Sequence, residues 1–376
     1  MFYLGRLIRT IIYLWVSILL MSCVESYDFK IKASDQNVVI ETYLSDMSFN
    51  ESLSIPSDGK RMFVRLSYSS DVESKWGEAL NGYRAILYSR DGNCWDFGSP
   101  SNGMCTPIDD DFHIESEMHY KLQVILPDDN VIESTWEKLP LQQDDPMGEI
   151  TFKKTEKQVY KYVVNEKTIA TEKGVEVLLN VPENKNNEKI YRRWQFEPMW
   201  QYTAPFASQL HGGKKCWITN SNFLNEYILQ SEQMGGYIKE LFFIPTEQNN
   251  RVNELFTVLV YQQTISEDYF NFWLQLQEQI YPNGIFDAPP SNLPTNFTCI
   301  TDESIKVSGF FGLMNVTAKR WYFNVDDLND GSFNNNGLYC QQKVADPYAH
   351  VPEECFDCRL YPYGDATSEK PKWWPE

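Results

Sequence analysis

The sequence predicts a mainly β protein in which an N-terminal immunoglobulin-like sandwich precedes a larger β-rich domain with one main helix. Composition is the first reason: the 376 residues include 22 Tyr, 22 Phe and 11 Trp, and aromatic side chains suit the half-buried surface of a pleated sheet. The second is a series of short apolar segments separated by turns rich in Gly, Pro, Asp and Asn. The third is a hairpin near residue 120, the clearest element of the chain.

Residues 38–141 are predicted to form the sandwich domain. In its hairpin, the segment 120–126 alternates apolar side chains onto one face, a turn at 127–130 reverses the chain, and the segment 131–136 returns. Strands of this length and spacing are typical of an immunoglobulin-like sandwich of about 100 residues. The earlier strands of the domain are expected at 38–44, 61–68 and 83–88.

A polar segment that contains Pro and Gly, residues 142–148, is the predicted boundary between the two domains. Residues 148–345 are predicted to form the larger β-rich domain. Residues 346–376 form a tail that contains Pro and Cys. The strands of the second domain are expected at 175–181, 191–197, 239–244, 255–261 and 320–325.

One helix is predicted in the second domain, over residues 267–280. Ser266 can cap its N-terminus, and Glu267 and Asp268 place negative charge in the first turn, where the helix dipole favours it. Apolar side chains then recur at helical spacing, and Pro-Asn-Gly at 282–284 is a stop signal.

Residues 1–22 are predicted to be a lipoprotein signal peptide. Arg6 and Arg9 give a positively charged N-terminal region, and residues 10–20 form an apolar run. A cleavage site with a small residue, Leu20-Met21-Ser22, directly precedes Cys23. A membrane-spanning helix needs about 20 apolar residues, so this run is short for a span and suits a signal peptide. Cys23 is therefore the predicted lipidation site. The alternative is an anchor helix that is retained.

Lipidation of Cys23 would hold the chain on a bilayer, with residues 23–37 as a tether that shows little apolar periodicity. The formal net charge of −19 argues against nucleic acid as a partner, because binding to phosphates draws on a surplus of Lys and Arg. It also argues against direct adsorption to anionic lipid. The acidic surface is interpreted as solvated, in preference to a site for a cationic ligand or Ca²⁺.

Seven cysteines remain besides Cys23, and export would place them where disulfides persist. Cys94 and Cys105 enclose a loop of ten residues and are predicted to form a disulfide, which would stabilise the fold by about 3 kcal/mol at most. The odd count leaves at least one free thiol.

The remaining cysteines concentrate near the tail. A disulfide cluster that pins the tail to the body is favoured over two alternatives for the Cys-Phe-Asp-Cys segment. A zinc site would need two further ligands, from Cys216, Cys340 or His350. A thioredoxin-like motif would open a helix after a strand, and the flanking residues do not supply that context. The connectivity of the cluster stays open. The cluster comprises Cys216, Cys340, Cys355 and Cys358, with Cys299 as a further possible member.

No motif for catalysis or cofactor binding is found. The sequence has no glycine-rich dinucleotide or phosphate loop, no His-Glu-x-x-His and no Gly-x-Ser-x-Gly. The segment 326–331 resembles a calcium loop but lacks the third ligand and the terminal Glu, so it is interpreted as a turn. Trp194, Trp200 and Tyr202 are interpreted as core rather than as a binding platform. We therefore expect no enzyme activity, no cofactor and no metal.

Several segments of the mature chain together resemble a known family, the Bacteroidota outer-membrane lipoproteins grouped as domain of unknown function 4249. The likeness covers most of the mature chain, although Tyr-Pro-Tyr-Gly stands at 361–364 where such tails usually have Gly-Gly-Thr. The segments that carry the resemblance are Cys23, 39–44, 120–134, 191–197, 216–217, 260–266, 284–290, 309–311, 355–360, 370–371 and 373–374.

The resemblance implies a β-rich, lipid-anchored outer-membrane protein, facing either the periplasm or the exterior. The genes of family members commonly lie beside genes for TonB-dependent receptors. We therefore expect a non-enzymatic binding or accessory partner of such a receptor, acting in ligand capture or uptake, an inference by analogy with the family. A structural or adhesive surface module is the alternative, and a surface hydrolase with an unlocated acidic pair is the third hypothesis.

Overall fold

The computed structural model describes residues 37–69, 77–140, 147–163, 166–186, 188–208, 213–247, 249–280, 293–328, 336–345 and 350–376. The predicted signal peptide, Cys23, the tether, most of the predicted domain boundary and the helix stop at 282–284 lie outside these residues. Within them, no helix has the length and apolar character needed to cross a membrane.

The described residues are mainly β, which confirms the predicted fold class. The helices are α1 (Phe49–Ser52), α2 (Glu267–Ile280) and α3 (Asn336–Ala345), with short 3₁₀ helices at Asn250–Val252, Val325–Leu328, Glu353–Cys355 and Cys358–Leu360. The strands are β1 (Val38–Ser45), β2 (Phe63–Tyr68), β3 (Arg84–Ser89), β4 (Cys94–Asp96), β5 (Met104–Cys105), β6 (His119–Ile125), β7 (Val131–Ser134), β8 (Glu137–Lys138), β9 (Ile150–Val163), β10 (Glu166–Glu183), β11 (Ile190–Thr203), β12 (Lys215–Thr219), β13 (Ile228–Glu232), β14 (Gly235–Pro245), β15 (Phe256–Ile265), β16 (Phe297–Cys299), β17 (Val307–Ser308), β18 (Leu313–Phe323) and β19 (Asp365–Thr367).

These strands form three sheets. The largest has the order β19-β12-β11-β15-β18-β1-β2-β5, with β13 paired to β11 and β17 paired to β1. A second sheet has the order β16-β7-β6-β3-β4, with β8 paired to β6, and the third has the order β14-β10-β9. The predicted hairpin is confirmed as β6 and β7, whose turn places Asp129 in the left-handed region at φ 65°.

The largest sheet is the middle layer of the fold, because its strand β15 is buried on both faces. Val258 and Val260 belong to the core shared with the three-stranded sheet, whereas Leu259 and Tyr261 belong to the core shared with the six-stranded sheet and α2. Side chains of a strand alternate between faces, so a strand covered on both sides loses the apolar–polar alternation of an exposed strand.

The predicted division into two domains at 142–148 is corrected by the strand pairing. Strand β1 runs parallel to β17 and β18, and β7 pairs with β16, so strands from both predicted domains share sheets and one core. Residues 37–376 form one compact unit. The sandwich predicted for 38–141 is therefore not self-contained, because its two sheets are completed by strands from the C-terminal half.

The predicted helix is confirmed as α2, which begins at Glu267 and extends to Ile280. Ser266 caps it as expected: its Oγ accepts a hydrogen bond from the Tyr269 N–H at 3.3 Å. Tyr269, Phe270 and Phe272 are buried, so the helix packs its apolar side against the middle sheet.

The structure corrects the predicted Cys94–Cys105 disulfide, since both cysteines are free. Cys94 lies exposed on β4 of the six-stranded sheet, whereas Cys105 lies buried on β5 of the largest sheet. The Cys105 Sγ instead contacts the Tyr83 hydroxyl at 3.3 Å. The short loop between Cys94 and Cys105 does not bring the two sulfurs together, because the chain crosses from one sheet to the other between the two residues.

The predicted tail cluster does form disulfides, in a connectivity that the sequence left open. Cys216 pairs with Cys358, and Cys340 pairs with Cys355. Strand β19 then adds to the edge of β12, and Trp374 packs against Trp217 at 6.3 Å between ring centroids. The tail is thereby fixed along one edge of the middle sheet.

Asp46 follows β1 and joins this strand to β18. Its N–H donates to the Met314 carbonyl at 3.2 Å, and the Val316 N–H donates to its Oδ1 at 2.8 Å. Burial raises the pKa of this carboxyl from 3.8 to about 6, against the opposing effect of the hydrogen bond from Val316. The folded protein therefore holds this proton more tightly than the unfolded chain does.

This raised pKa predicts a pH-dependent loss of stability. The protonated Asp46 carboxyl contributes to the free energy of unfolding. This contribution is fully present below pH 3.8 and is lost as the pH rises through about 6, which lowers the free energy of unfolding by about 3 kcal/mol at most. We expect Asp46→Asn, which keeps an acceptor for Val316, to be more stable than the parent at pH 7, with the difference shrinking toward pH 4. Urea unfolding at both pH values measures it, with exposed Asp365→Asn as the control. A difference independent of pH would contradict the raised pKa.

Candidate functional site

A cavity of about 560 Å³ lies between β1, the helix α2 and one face of β11. These elements are far apart in sequence and meet because β1 joins the middle sheet beside β18. Most of the cavity wall is apolar, and its aromatic side chains are Tyr43, Phe63, Tyr269, Phe272, Trp273 and Phe310.

The helical repeat of α2 builds one wall. Tyr269, Phe272, Trp273 and Leu276 recur at the spacing of three and four residues that places side chains on one face of a helix. Tyr269 stacks on Phe310 with ring centroids 5.5 Å apart and planes 13° apart. The aromatic wall is thus held by contacts between its own members before any ligand is present.

Gly312 lets the helix approach the sheet this closely. A Cβ at this position would lie 2.2 Å from the Tyr269 ring, a distance that ordinary side-chain packing does not allow. Phe310 precedes it and supplies the stacking partner of the same tyrosine. The residues 310–312 therefore fix the position of α2 over the cavity.

Arg193 is the buried charge of the cavity. It is only 4% exposed, and its guanidinium lies 3.7 Å from the centroid of the Trp273 ring. In the part of the chain that the structure describes, its Nε and Nη1 have no hydrogen-bond partner. Burial lowers the pKa of Arg193, and the nearby groups that oppose this effect are tyrosines, Tyr269 first.

The two other charged side chains of the wall are paired within the protein. The Lys60 Nζ lies 2.8 Å from the Glu197 Oε1 and 4.0 Å from the centroid of the Tyr261 ring. Glu41 lies 3.7 Å from Arg65 in a half-exposed pair. Among the described lining residues, Arg193 is therefore the charge without an ionic partner.

Two uncharged polar side chains add hydrogen-bonding capacity. Gln195 lies in the wall, and its Oε1 accepts a hydrogen bond from the Nε2 of the buried Gln263 at 2.9 Å. Thr42 also lines the cavity, and its Oγ1 is buried without a partner among the described residues. A few polar groups that converge in an apolar cavity are typical of small-molecule binding sites.

The described lining residues offer apolar contacts and one buried positive charge. They include neither histidine nor cysteine, and the described part of the chain contains no cluster of three His, Cys, Asp or Glu side chains that could hold a metal ion. What the arrangement can do chemically is enclose an apolar body and neutralise a negative charge.

Sequence patterns did not single out this site. The signal that points to it is Arg192-Arg193 between two aromatic residues of a strand, because charged side chains are rarely fully buried. Trp194, Trp200 and Tyr202 lie on the opposite face of β11, in the core shared with the three-stranded sheet, which confirms their interpretation as core. Cys23 lies outside the described residues.

A middle sheet covered on both faces, with an aromatic cavity beside a buried arginine, defines a β-rich protein with room for a small molecule. The chain belongs to the family described as Domain of unknown function (DUF4249), whose sequence profile matches residues 24–320. No curated protein matches the chain. The matched range includes every residue of the cavity wall, whereas the two cysteines of the segment 355–358 lie beyond it.

Proposed function

We propose that this chain is a lipoprotein of the Bacteroidota outer membrane that acts as a non-enzymatic accessory partner of a TonB-dependent receptor and captures a small ligand for it. The preformed cavity with its buried Arg193 is the observation that supports ligand capture. Membership of the family and the lipidation signal at Cys23 support the location and the partner.

The physical basis of this role is confinement. An acyl chain on Cys23 would restrict the protein to the plane of the membrane, which raises its effective concentration at a receptor without any new contact. A ligand held in the cavity would then be released close to the receptor rather than diluted into bulk solution.

Affinity purification of the tagged, lipidated protein from mild-detergent outer membranes tests the partnership. We expect one TonB-dependent receptor to be recovered in equal molar amount and identified by mass spectrometry. The matched control is Cys23→Ser, which cannot be lipidated and should recover less receptor from the same cells. Recovery of the lipoprotein alone, where other receptor–lipoprotein pairs stay together, would contradict the accessory role.

A structural or adhesive surface module is the second candidate, and one surface supports it. Strands β9 and β10 continue as a two-stranded ribbon beyond Gly174, where the pairing with β14 ends. Tyr160 and Ile169 are opposite each other on this ribbon and are 66% and 63% exposed. Exposed apolar side chains of this kind are typical of contact surfaces.

A deletion strain separates the two roles. Loss of adhesion with intact nutrient uptake would favour the adhesive module, whereas loss of uptake with intact adhesion would favour the accessory role. Turnover in a screen of glycan and peptide substrates would contradict both and support a surface hydrolase.

A further inference from the structure

We infer that the ligand of this cavity is an amphipathic carboxylate, a singly charged anion on an apolar body, with its carboxylate against Arg193. The inference rests on the proposed role in ligand capture and names the chemical class of what is captured. Three observations carry it: the charge of the cavity, the buried N–H groups of Arg193 that have no partner among the described residues, and the apolar wall.

The charge of the cavity favours an anion with one negative charge. A guanidinium taken out of water without a partner costs several kcal/mol, and an anion beside it offsets that cost. Lys60 is paired with Glu197, and Glu41 with Arg65, so a single positive charge stays uncompensated in the described wall. A dianion such as a phosphate monoester would leave an excess negative charge beside Glu41.

The geometry around Arg193 limits where the anion can sit. Trp273 covers one face of the guanidinium at 3.7 Å, so that face is closed to a ligand. The N–H groups at Nε and Nη1 lie in the guanidinium plane and are buried without a hydrogen-bond partner among the described residues. A carboxylate that reaches this plane would supply the charge-assisted hydrogen bonds that the fold leaves unmade. The Thr42 hydroxyl belongs to a residue of the same wall and is likewise buried without a described partner, so it is a second polar group whose hydrogen bonds the fold leaves unmade.

The remaining wall selects an apolar body. Tyr269, Phe272 and Phe310 form a continuous aromatic surface in which Tyr269 stacks on Phe310, and Leu276 and Leu293 extend it. The cavity of about 560 Å³ falls within the range of roughly 300–1,000 Å³ that is typical of sites for ligands of drug size. A flat or chain-like apolar carboxylate fits both this volume and this surface.

Direct binding to the unlipidated mature chain, residues 24–376, tests the inference. This chain retains the whole compact unit 37–376 and needs no detergent that would compete for the cavity. The probes are 2-naphthoate, 1-pyrenebutyrate and dodecanoate, each compared with its neutral alcohol by isothermal titration calorimetry. We expect at least one carboxylate to bind at least tenfold more tightly than its alcohol.

Two variants test the location. Arg193→Met should lower the affinity for that carboxylate at least tenfold, about 1.4 kcal/mol, and change the affinity for the alcohol less than twofold. Leu276→Trp, which fills the cavity, should abolish binding of both. Arg320→Met is the matched control, because Arg320 also lies 3.7 Å from a tryptophan ring, that of Trp373, but does not line the cavity. Circular dichroism and thermal unfolding verify that each variant is folded.

Each other outcome overturns the inference. Equal affinity for carboxylate and alcohol, or a carboxylate affinity unchanged in Arg193→Met, would reject the chemical class. If only the alcohols bind and Leu276→Trp abolishes this binding, the cavity captures a ligand but the ligand is not an amphipathic carboxylate. Binding unaffected by Leu276→Trp would place the site elsewhere, and no binding of any of the three carboxylates would reject the class outright.

Discussion

Loss of the Cys216–Cys358 disulfide is expected to lower the free energy of unfolding by about 5 kcal/mol, the largest effect of any change considered for this protein. The bond joins residues 142 positions apart, and the entropy that a cross-link removes from the unfolded chain rises with the length of the closed loop. Both sulfurs are fully buried, so the double variant Cys216→Ala, Cys358→Ala also loses packing in the core.

The second disulfide provides the matched control. Cys340 and Cys355 are 15 residues apart, and the same relation predicts about 3 kcal/mol for Cys340→Ala, Cys355→Ala. Guanidinium unfolding of the two double variants under oxidising conditions measures the difference. If the short-loop variant were the less stable of the two, loop entropy would not be the dominant effect of these bonds.

Arg192→Met is expected to lower the free energy of unfolding by about 3–5 kcal/mol, whereas Arg193→Met leaves it within about 1 kcal/mol of the parent or raises it. Arg192 is 1% exposed and forms an ion pair with Glu232, whose side chain is 9% exposed. Its removal leaves a buried carboxylate without this partner. Among the described residues Arg193 has no acidic partner to abandon, and losing its contact with Trp273 offsets the relief of a buried charge.

A double variant separates loss of the ion pair from loss of packing. Arg192→Met combined with Glu232→Leu removes both charges, so it should recover most of the stability that Arg192→Met loses. Urea unfolding of the parent, the two single variants and the double variant completes the cycle. Equal losses in Arg192→Met and Arg193→Met would show that the two neighbouring arginines are equivalent, contrary to the structure.

Local patterns were sufficient for elements whose signals lie within a few residues. The helix α2 begins at Glu267 as predicted, because a capping serine, acidic residues in the first turn and helical apolar spacing all agree. The hairpin of β6 and β7 was likewise predicted, since alternation and a turn together define it. Their signals do not depend on what the rest of the chain does.

The candidate site could not be predicted in the same way. Its wall combines β1, the β11 arginine and α2, and each of these segments is explained by ordinary burial when it is considered alone. Arg193 becomes unusual only when its neighbours are known, because a buried guanidinium is ordinary if paired, as that of Arg192 is. That Arg193 has no acidic partner among the described residues is a property of the assembled fold.

The sequence by itself determined the β-rich class, the family resemblance, the main helix and the involvement of the tail cysteines in disulfides. Only the tertiary structure decided which cysteines pair, that β1 lies beside β18, and that a cavity forms between them and α2. The physical reason is that hydrophobic periodicity is a local property, whereas sheet order depends on contacts such as that of Asp46 with Val316, 270 residues away. Such contacts are set by the packing of the whole chain.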